Sequence, residues 1–412
     1  MKLNKLKSLV TEICCTNKIS TRIIEVSLII FICYAYFSLR TEQEDTDARY
    51  IVFDEGYKVR NPKIGQEELL WRVEQTLAQA GQQLLNEAEF PIIDDKMPVI
   101  VVLAGRRAAR LQWLLASLAT VTNIGDALLV ISHSFYDEAV NELVQRVDYC
   151  RVLQLYYPYS VQLFSKRFPG SDVNRSRAVA IAAEEKQHWW WTASFLFNHY
   201  TFIDPKLGLA VFLQEDDYVA PDLLHMLRYA QRAFMYHPEA EVISLGRPVT
   251  EADYSLLTIA PWQPPFESGL AFNLTFFKKL HASASYFCQY NDASWSYSLL
   301  AAFASRPRGY VDMIASMLPR VVSTRQYASG REGAEKAQRV FTKIFPTRVR
   351  VAYIATGEGR VSHPETVPRG AGGWEDARDR LLCLDPFLMT TEQPICNGTS
   401  QPQGQMLKLP GI

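Results

Sequence analysis

The sequence predicts an α/β fold, a mostly parallel β-sheet flanked by helices, set behind an N-terminal transmembrane helix and a stem. Three observations predict it. From Met97 onward, short β-rich apolar runs alternate with helical periodicities, an order that demands parallel strands joined by right-handed crossovers. One apolar stretch, Ile23 to Leu39, interrupts the globular pattern. The 412 residues are 48% apolar and 21% charged, which excludes wholesale disorder and fibrous classes. A formal charge of −1 leaves no basic excess for a nucleic-acid surface.

The apolar stretch organises the N-terminal part. Seventeen helical residues span about 25 Å, enough to cross a thin bilayer. Glu25 sits near its start, within reach of the interface. Lys2, Lys5, Lys7, Lys18 and Arg22 precede it; Glu42, Glu44, Asp45 and Asp47 follow. This asymmetry places the N-terminus in the cytosol and the rest outside or in a lumen. A cleaved signal peptide is the rival reading, but the basic lead is long and no A-x-A site follows. The expected layout is a tail over 1–22, a span over 23–39, a stem over 40–95, a catalytic domain over 96–385 and an irregular tail over 386–412. Within the stem, Leu69, Leu70, Val73, Leu77 and Leu84 follow a helical pattern that packs on the domain or on a partner stem, which would make a homodimer. Asn174-Arg-Ser, Asn273-Leu-Thr and Asn397-Gly-Thr are sequons. Cys150, Cys288, Cys383 and Cys396 fall on the oxidising side and permit at most two disulfides.

The domain opens with "MPVIVVLAGR", a buried strand ending in a loop. "RAARLQWLLASLATV" is helical, "DALLVISHSF" a second strand, "EAVNELVQRV" a second helix and "CRVLQLYYPY" a third strand. Ligands in such sheets bind beyond the carboxyl ends of the strands, here Gly105, Arg106, Ser132, His133 and Ser134. Neither a G-x-G-x-x-G nor a Walker motif follows the first strand, which disfavours a dinucleotide cofactor.

"GLAVFLQEDDYVAPDLL" is the most informative line. A buried strand gives way to Gln214, Glu215, Asp216 and Asp217. Carboxylates gathered at a strand end repel each other and suit a divalent cation carrying a diphosphate. The plainer reading is an acidic helix start favoured by the macrodipole. Upstream, "KQHWWWTASFLF" sets Lys186 and His188 beside three Trp that cannot all face one side of a helix. Lys186 and His188 could reach a phosphate or hydroxyl; individually, a surface Lys and a core-edge His are the plainer alternatives.

These segments, with "LGR", "FPGSD", "SHSFYDEAVNEL", "FCQYNDASWSY" and "GGWEDARDRLLC", resemble the N-acetylglucosaminyltransferase II family from about Met97 to Cys383. The resemblance implies a GT-A nucleotide-sugar-binding sheet, type II topology and a Golgi membrane location. It implies inverting transfer of GlcNAc from UDP-GlcNAc to O2 of the α1,6-arm mannose of an N-glycan. It implies Mn2+ held by Asp216. Val102, Leu103, Ala104, Gly105 and Arg106 would hold the uridine end, and Glu184, Glu185, Lys186, Gln187 and His188 would line the same pocket with Glu215 and Trp295. Cys288 would pair with Cys383.

The departures fall at the chemistry. The family motif Glu-Glu-Asp reads Gln214-Glu215-Asp216 here. Ser323 stands where the family places its second metal ligand, a His. Ser296 follows Trp295 where the family has its catalytic Asp. Ser134 replaces a nucleotide-contacting Asp, and Gly105 an Asn. An expected Arg aligns near Ala252, with Arg247 or Arg320 as substitutes. Asp292 is the nearest carboxylate that could act as base. The competing expectation is a weakly active or inactive relative that binds glycan or a partner transferase.

Overall fold

The computed structural model describes residues 66–78, 84–90, 97–199, 208–246, 253–264, 267–353 and 367–387, with short strands at 52–53 and 57–58. Two compact units divide at Asn61 and Pro62. In the first, β1 (Val52–Phe53) pairs antiparallel with β2 (Tyr57–Lys58). The expected membrane span lies outside the described residues; among those described, no helix is long and apolar enough to cross a membrane.

The second unit is built on a ten-stranded sheet. Helix α1 (Gln66–Leu77) precedes the edge strand β3 (Leu84–Leu85). Then come β4 (Val99–Ala104), α2 (Ala108–Leu118), β5 (Leu128–His133), α3 (Glu138–Gln145) and β6 (Arg151–Tyr156). The long helix α4 (Arg177–His199) leads to β7 (Ala210–Gln214), the short β8 (Asp217–Val219) and α5 (Leu223–Tyr236). Strands β9 (Ala240–Ser244), β10 (Leu256–Pro261) and β11 (Leu270–Phe272) follow, then α6 (Leu274–Ala282), α7 (Ala284–Gln289) and α8 (Trp295–Ala304). The chain continues with β12 (Asp312–Ser316), β13 (Val321–Ser323), α9 (Gly330–Val340), β14 (Arg350–Tyr353) and α10 (Ala377–Leu384).

The spatial order is β14-β10-β12-β9-β11-β7-β4-β5-β6-β3. The four strands β7, β4, β5 and β6 are parallel, as the alternation predicts, and every residue of β5 is buried. Continuous β-branched runs such as Val99–Val102 suit strands covered on both faces. The other half is mixed: β11 runs antiparallel to both neighbours, and β10 antiparallel to β12. A three-residue strand is too short for its sequence to show a period.

Part of the expected stem belongs to the domain. Leu69 and Val73 of α1 are buried against Tyr136 and Tyr156, and the Arg72 guanidinium lies over both rings. Burying such a side chain stabilises by roughly 1.5–3 kcal/mol. The helical pattern stops at Leu77; Leu84 and Leu85 pair instead with Leu153 and Val152 of β6. The apolar face that would meet a partner stem is therefore covered by the chain's own domain.

Strands β4, β5 and β6 advance one way, and α4 carries the chain back to place β7 on the other side of β4. The order reverses between β4 and β7, and a crevice opens there beyond the strand ends.

Candidate functional site

A cavity of about 140 Å3 lies at this reversal. Its wall includes Leu103, Ala104, Gly105, Arg106 and Arg107 after β4, Ser134 after β5, and Gln214 and Glu215 after β7. Helix α4 contributes Ile181, Glu185 and His188; Trp295 and Arg325 complete it. Val102, four residues into β4 and fully buried, supports this wall without reaching it.

Helix geometry decides which of Glu184 to His188 face the cavity. Positions 181, 185 and 188 share one face at 3.6 residues per turn. Glu184 shares this face by spacing but does not line the cavity, and Lys186 and Gln187 point elsewhere, which corrects the expectation that the whole stretch lines the pocket. Glu184 is buried, accepts from Arg106 Nη2 at 3.0 Å and from the Val161 amide, and so holds Arg106 against the wall. Lys186 is fully buried, donates to the carbonyls of Tyr290 (3.0 Å) and Asp292 (3.1 Å), and sits 3.9 Å over the Trp374 ring. Burial lowers its ammonium to about 7, opposed by the charges of Asp292 and Asp379. Gln187 donates to Asp379 and accepts from the Tyr157 hydroxyl. His188 meets Ser132 Oγ through Nε2 at 2.8 Å, and burial pulls it down to about 3, so its ring is neutral near pH 7 and brings no charge to a phosphate.

The three Trp are all core. Trp189 stacks on Trp295 at 4.8 Å, Trp190 on Phe287 at 4.5 Å and Trp191 on Phe195 at 4.9 Å. Only Trp295 reaches the cavity, with Trp189 as its backing.

The acidic run enters the wall at Glu215 and continues beneath it at Asp216 and Asp217. Glu215 Oε2 accepts from the amides of Gly105 (2.6 Å) and Arg107 (3.2 Å), and burial raises its carboxyl. A Cβ at position 105 would meet Glu215 Oε1 at 3.1 Å, so a larger residue there would require that carboxylate to give by a few tenths of an ångström. Asp216 is 1% exposed and does not line the cavity. Its Oδ2 receives Arg107 Nη1 at 3.1 Å and Arg325 Nε at 2.8 Å, while its Oδ1 has no partner among the described residues. Asp217 accepts from the Gln214 amide at 2.8 Å; burial, then the charge of Asp216, raises it to about 7.

Asp292 does not line the cavity. Its Oδ1 accepts from the Ser294 amide (2.7 Å) and its Oδ2 from the Ala371 amide (2.9 Å), the posture of a group that joins two loops. Ser296 is buried, its hydroxyl 3.0 Å from that of Ser294. Neither is placed to take a proton in the cavity. Arg320 is no substitute for the expected site Arg, because it is fully buried against Asp222; Arg247 and Ala252 lie outside the described residues. Cys288 and Cys383 are bonded, and Cys150 is a buried free thiol. Sequence reasoning missed Arg107 and Arg325. The adjacent Arg-Arg after β4 was a usable signal; Arg325 becomes visible only once β13 pairs with β8, setting Ser323 opposite Asp217.

The model of the N-acetylglucosaminyltransferase II family matches residues 73–183 and 175–383. The chain belongs to the N-acetylglucosaminyltransferase II family. It is 27% identical to the alpha-1,6-mannosyl-glycoprotein 2-beta-N-acetylglucosaminyltransferases of Sus scrofa and Homo sapiens, covering 69% of this chain and 72% of each relative. The Arabidopsis thaliana protein of the same name is 23% identical over 73% of this chain and 77% of its own. Among solved structures, S. aureus TarS 1-349 gives a TM-score of 0.34 at 12% identity over 59% of this chain and 64% of that one. Mannosyltransferase PcManGT from Pyrobaculum calidifontis, in complex with GDP-Man and Mn2+, gives 0.30 at 14% identity over 64% and 66%.

The manganese that the N-acetylglucosaminyltransferase II resemblance implies does not fit the residues present. Divalent cations of this kind take several oxygen or imidazole ligands. Among the described residues no three His, Cys, Asp or Glu side chains converge where one cation could sit. Asp216 offers one uncommitted oxygen while two guanidiniums hold the other. Ser323 brings no imidazole, and its hydroxyl lies 3.5 Å from the Arg325 amide.

Proposed function

We propose that this chain transfers N-acetylglucosamine from UDP-GlcNAc to O2 of the α1,6-arm mannose of an N-glycan, forming a β-1,2 linkage with inversion, on a GT-A-type sheet. Family membership across residues 73–383 supports the reaction. The observation that carries it for this chain is the cavity itself, which joins three guanidiniums, an aromatic wall and one exposed carboxylate at the sheet's reversal point. Guanidiniums suit a diphosphate, and Trp295 adds an aromatic side chain to the wall.

The displacement needs a group to take the acceptor hydroxyl proton as that oxygen attacks the anomeric carbon and the bond to the diphosphate breaks. Two carboxylates line the cavity. Glu215 is half-buried and already accepts two amides. Glu185 is exposed and has no hydrogen-bond partner among the described residues. Glu185 is therefore the base, in place of Asp292. Glu185→Gln should lower turnover by about 10²–10⁴-fold and leave UDP-GlcNAc affinity near wild type, measured by UDP release with a mannose-terminated acceptor. Turnover within threefold of wild type would remove Glu185 from the mechanism.

The loss of the family's carboxylate at Ser296 favours a second reading, binding of glycan without turnover. An active wild-type chain excludes it. The apolar stretch from Ile23 to Leu39 and its flanking charges support a single-pass type II placement in the Golgi membrane, with the domain lumenal.

A further inference from the structure

We propose that the diphosphate of the sugar donor is held by a guanidinium pair, Arg107 and Arg325, seated on Asp216, in place of a divalent cation. This rests on the reading that the donor is a nucleotide diphosphate sugar. Asp216 is buried beneath the cavity floor and shares Oδ2 between Arg107 Nη1 at 3.1 Å and Arg325 Nε at 2.8 Å. The two side chains are 46% and 54% exposed and line the cavity, whereas the carboxylate does not. Over Asp216, what faces the ligand is therefore a pair of guanidiniums, with the carboxylates of Glu185 and Glu215 elsewhere on the same wall. Two guanidiniums on one carboxylate leave a net positive charge at the spot where an acidic motif would otherwise need a metal.

The departures at this spot act together. Gln214, where the family has Glu, accepts from Arg325 Nη2 at 2.8 Å and adds no negative charge. Ser323, where the family has His, removes an imidazole two residues before Arg325. The Thr324 amide and hydroxyl both bond to the Asp216 carbonyl at 2.7 Å, fixing the approach of Arg325. Among the described residues, Nη2 of Arg107 and Nη1 of Arg325 donate to no acceptor and remain for phosphate oxygens. A planar guanidinium presents paired donors that match phosphate, and the carboxylate behind it keeps it from swinging away.

The test is calorimetry of UDP and UDP-GlcNAc binding to the full chain in detergent, with excess EDTA and with Mn2+, alongside Arg107→Gln, Arg325→Gln and Arg325→Lys. UDP should bind in EDTA within about threefold of its affinity in Mn2+. Each Gln variant should weaken UDP by roughly 10–100-fold, the loss of charge-assisted phosphate bonds. Arg325→Lys should recover part of that. Uridine, which lacks the diphosphate, should bind wild type and variants alike, which shows that the variants are folded and separates a phosphate contact from a structural one. Binding that needs Mn2+ and ignores the Arg variants would overturn the pair and leave the donor reading standing. Binding in EDTA that ignores the Arg variants would equally overturn it. Absence of UDP and UDP-GlcNAc binding in both conditions would remove the donor reading, and the pair with it.

Discussion

Replacing Arg320 with Met tests how the site's frame is held. Arg320 and Asp222 are both fully buried, with Nε 2.8 Å from Asp222 Oδ1. The guanidinium also donates to the carbonyls of Leu318 (2.6 Å) and Tyr254 (2.9 Å), and Asp222 Oδ2 accepts from the Phe345 amide at 2.9 Å. The pair thereby ties the turn before β13 to the start of α5, and the Arg320 carbonyl accepts from the Ala220 amide at 2.8 Å at the end of β8. Met fills much of the space but leaves the Asp222 carboxylate buried with one partner. Breaking a buried pair from one side costs about 3–5 kcal/mol. At roughly 2–4 °C per kcal/mol for a domain of this class, the melting midpoint should fall by about 6–20 °C. Arg320→Met with Asp222→Leu should recover part of the loss, since no carboxylate is then left buried and unpaired, while the Leu318 and Tyr254 carbonyls and the Phe345 amide still lack their partners. The assay is urea and thermal unfolding followed by tryptophan fluorescence. A single variant within about 1 kcal/mol of wild type, or a double variant worse than the single, would refute the reasoning.

Two further predictions separate structural groups from reacting ones. Lys186→Met should cost about 1–3 kcal/mol of stability through the unpaired Tyr290 and Asp292 carbonyls and the lost contact with Trp374, while UDP affinity in the surviving folded fraction stays within threefold; a large loss of UDP affinity without loss of stability would return Lys186 to the pocket. Asp217 keeps its proton to about pH 7 in the folded chain but gives it up near 3.8 when unfolded. The native state therefore binds the extra proton between those values, and this contribution to stability falls as pH rises from about 4 to 7, then levels off. The difference between wild type and Asp217→Asn in urea midpoint should change over that window by an amount on the order of 2–4 kcal/mol; a difference independent of pH would contradict it.

Much of this was legible in the sequence, and the limits have physical causes. The parallel half of the sheet follows from β-branched runs spaced by helical repeats, and the Cys288–Cys383 bond matches the family resemblance. The expectation at Leu84 failed because a two-residue edge strand carries no periodicity. Lys186 and Glu185 are neighbours in sequence yet face opposite ways, and only their placement on α4 separates buried cation from exposed carboxylate. Asp292 was the nearest carboxylate to Ser296 along the chain, but the backbone amides of Ser294 and Ala371 already occupy it. Arg325 gained its meaning from a contact 109 residues away in sequence, at Asp216. Residue identity showed where the family's ligands are missing; only the folded arrangement shows what stands there.

The most direct measurement is the structure of the product. The full chain, UDP-GlcNAc and an N-glycan acceptor with an unsubstituted α1,6-arm mannose should yield one added GlcNAc, and NMR linkage analysis should place it β-1,2 on that mannose. An unmodified acceptor, under conditions where UDP-GlcNAc binding is verified, or a GlcNAc added elsewhere, would contradict the account.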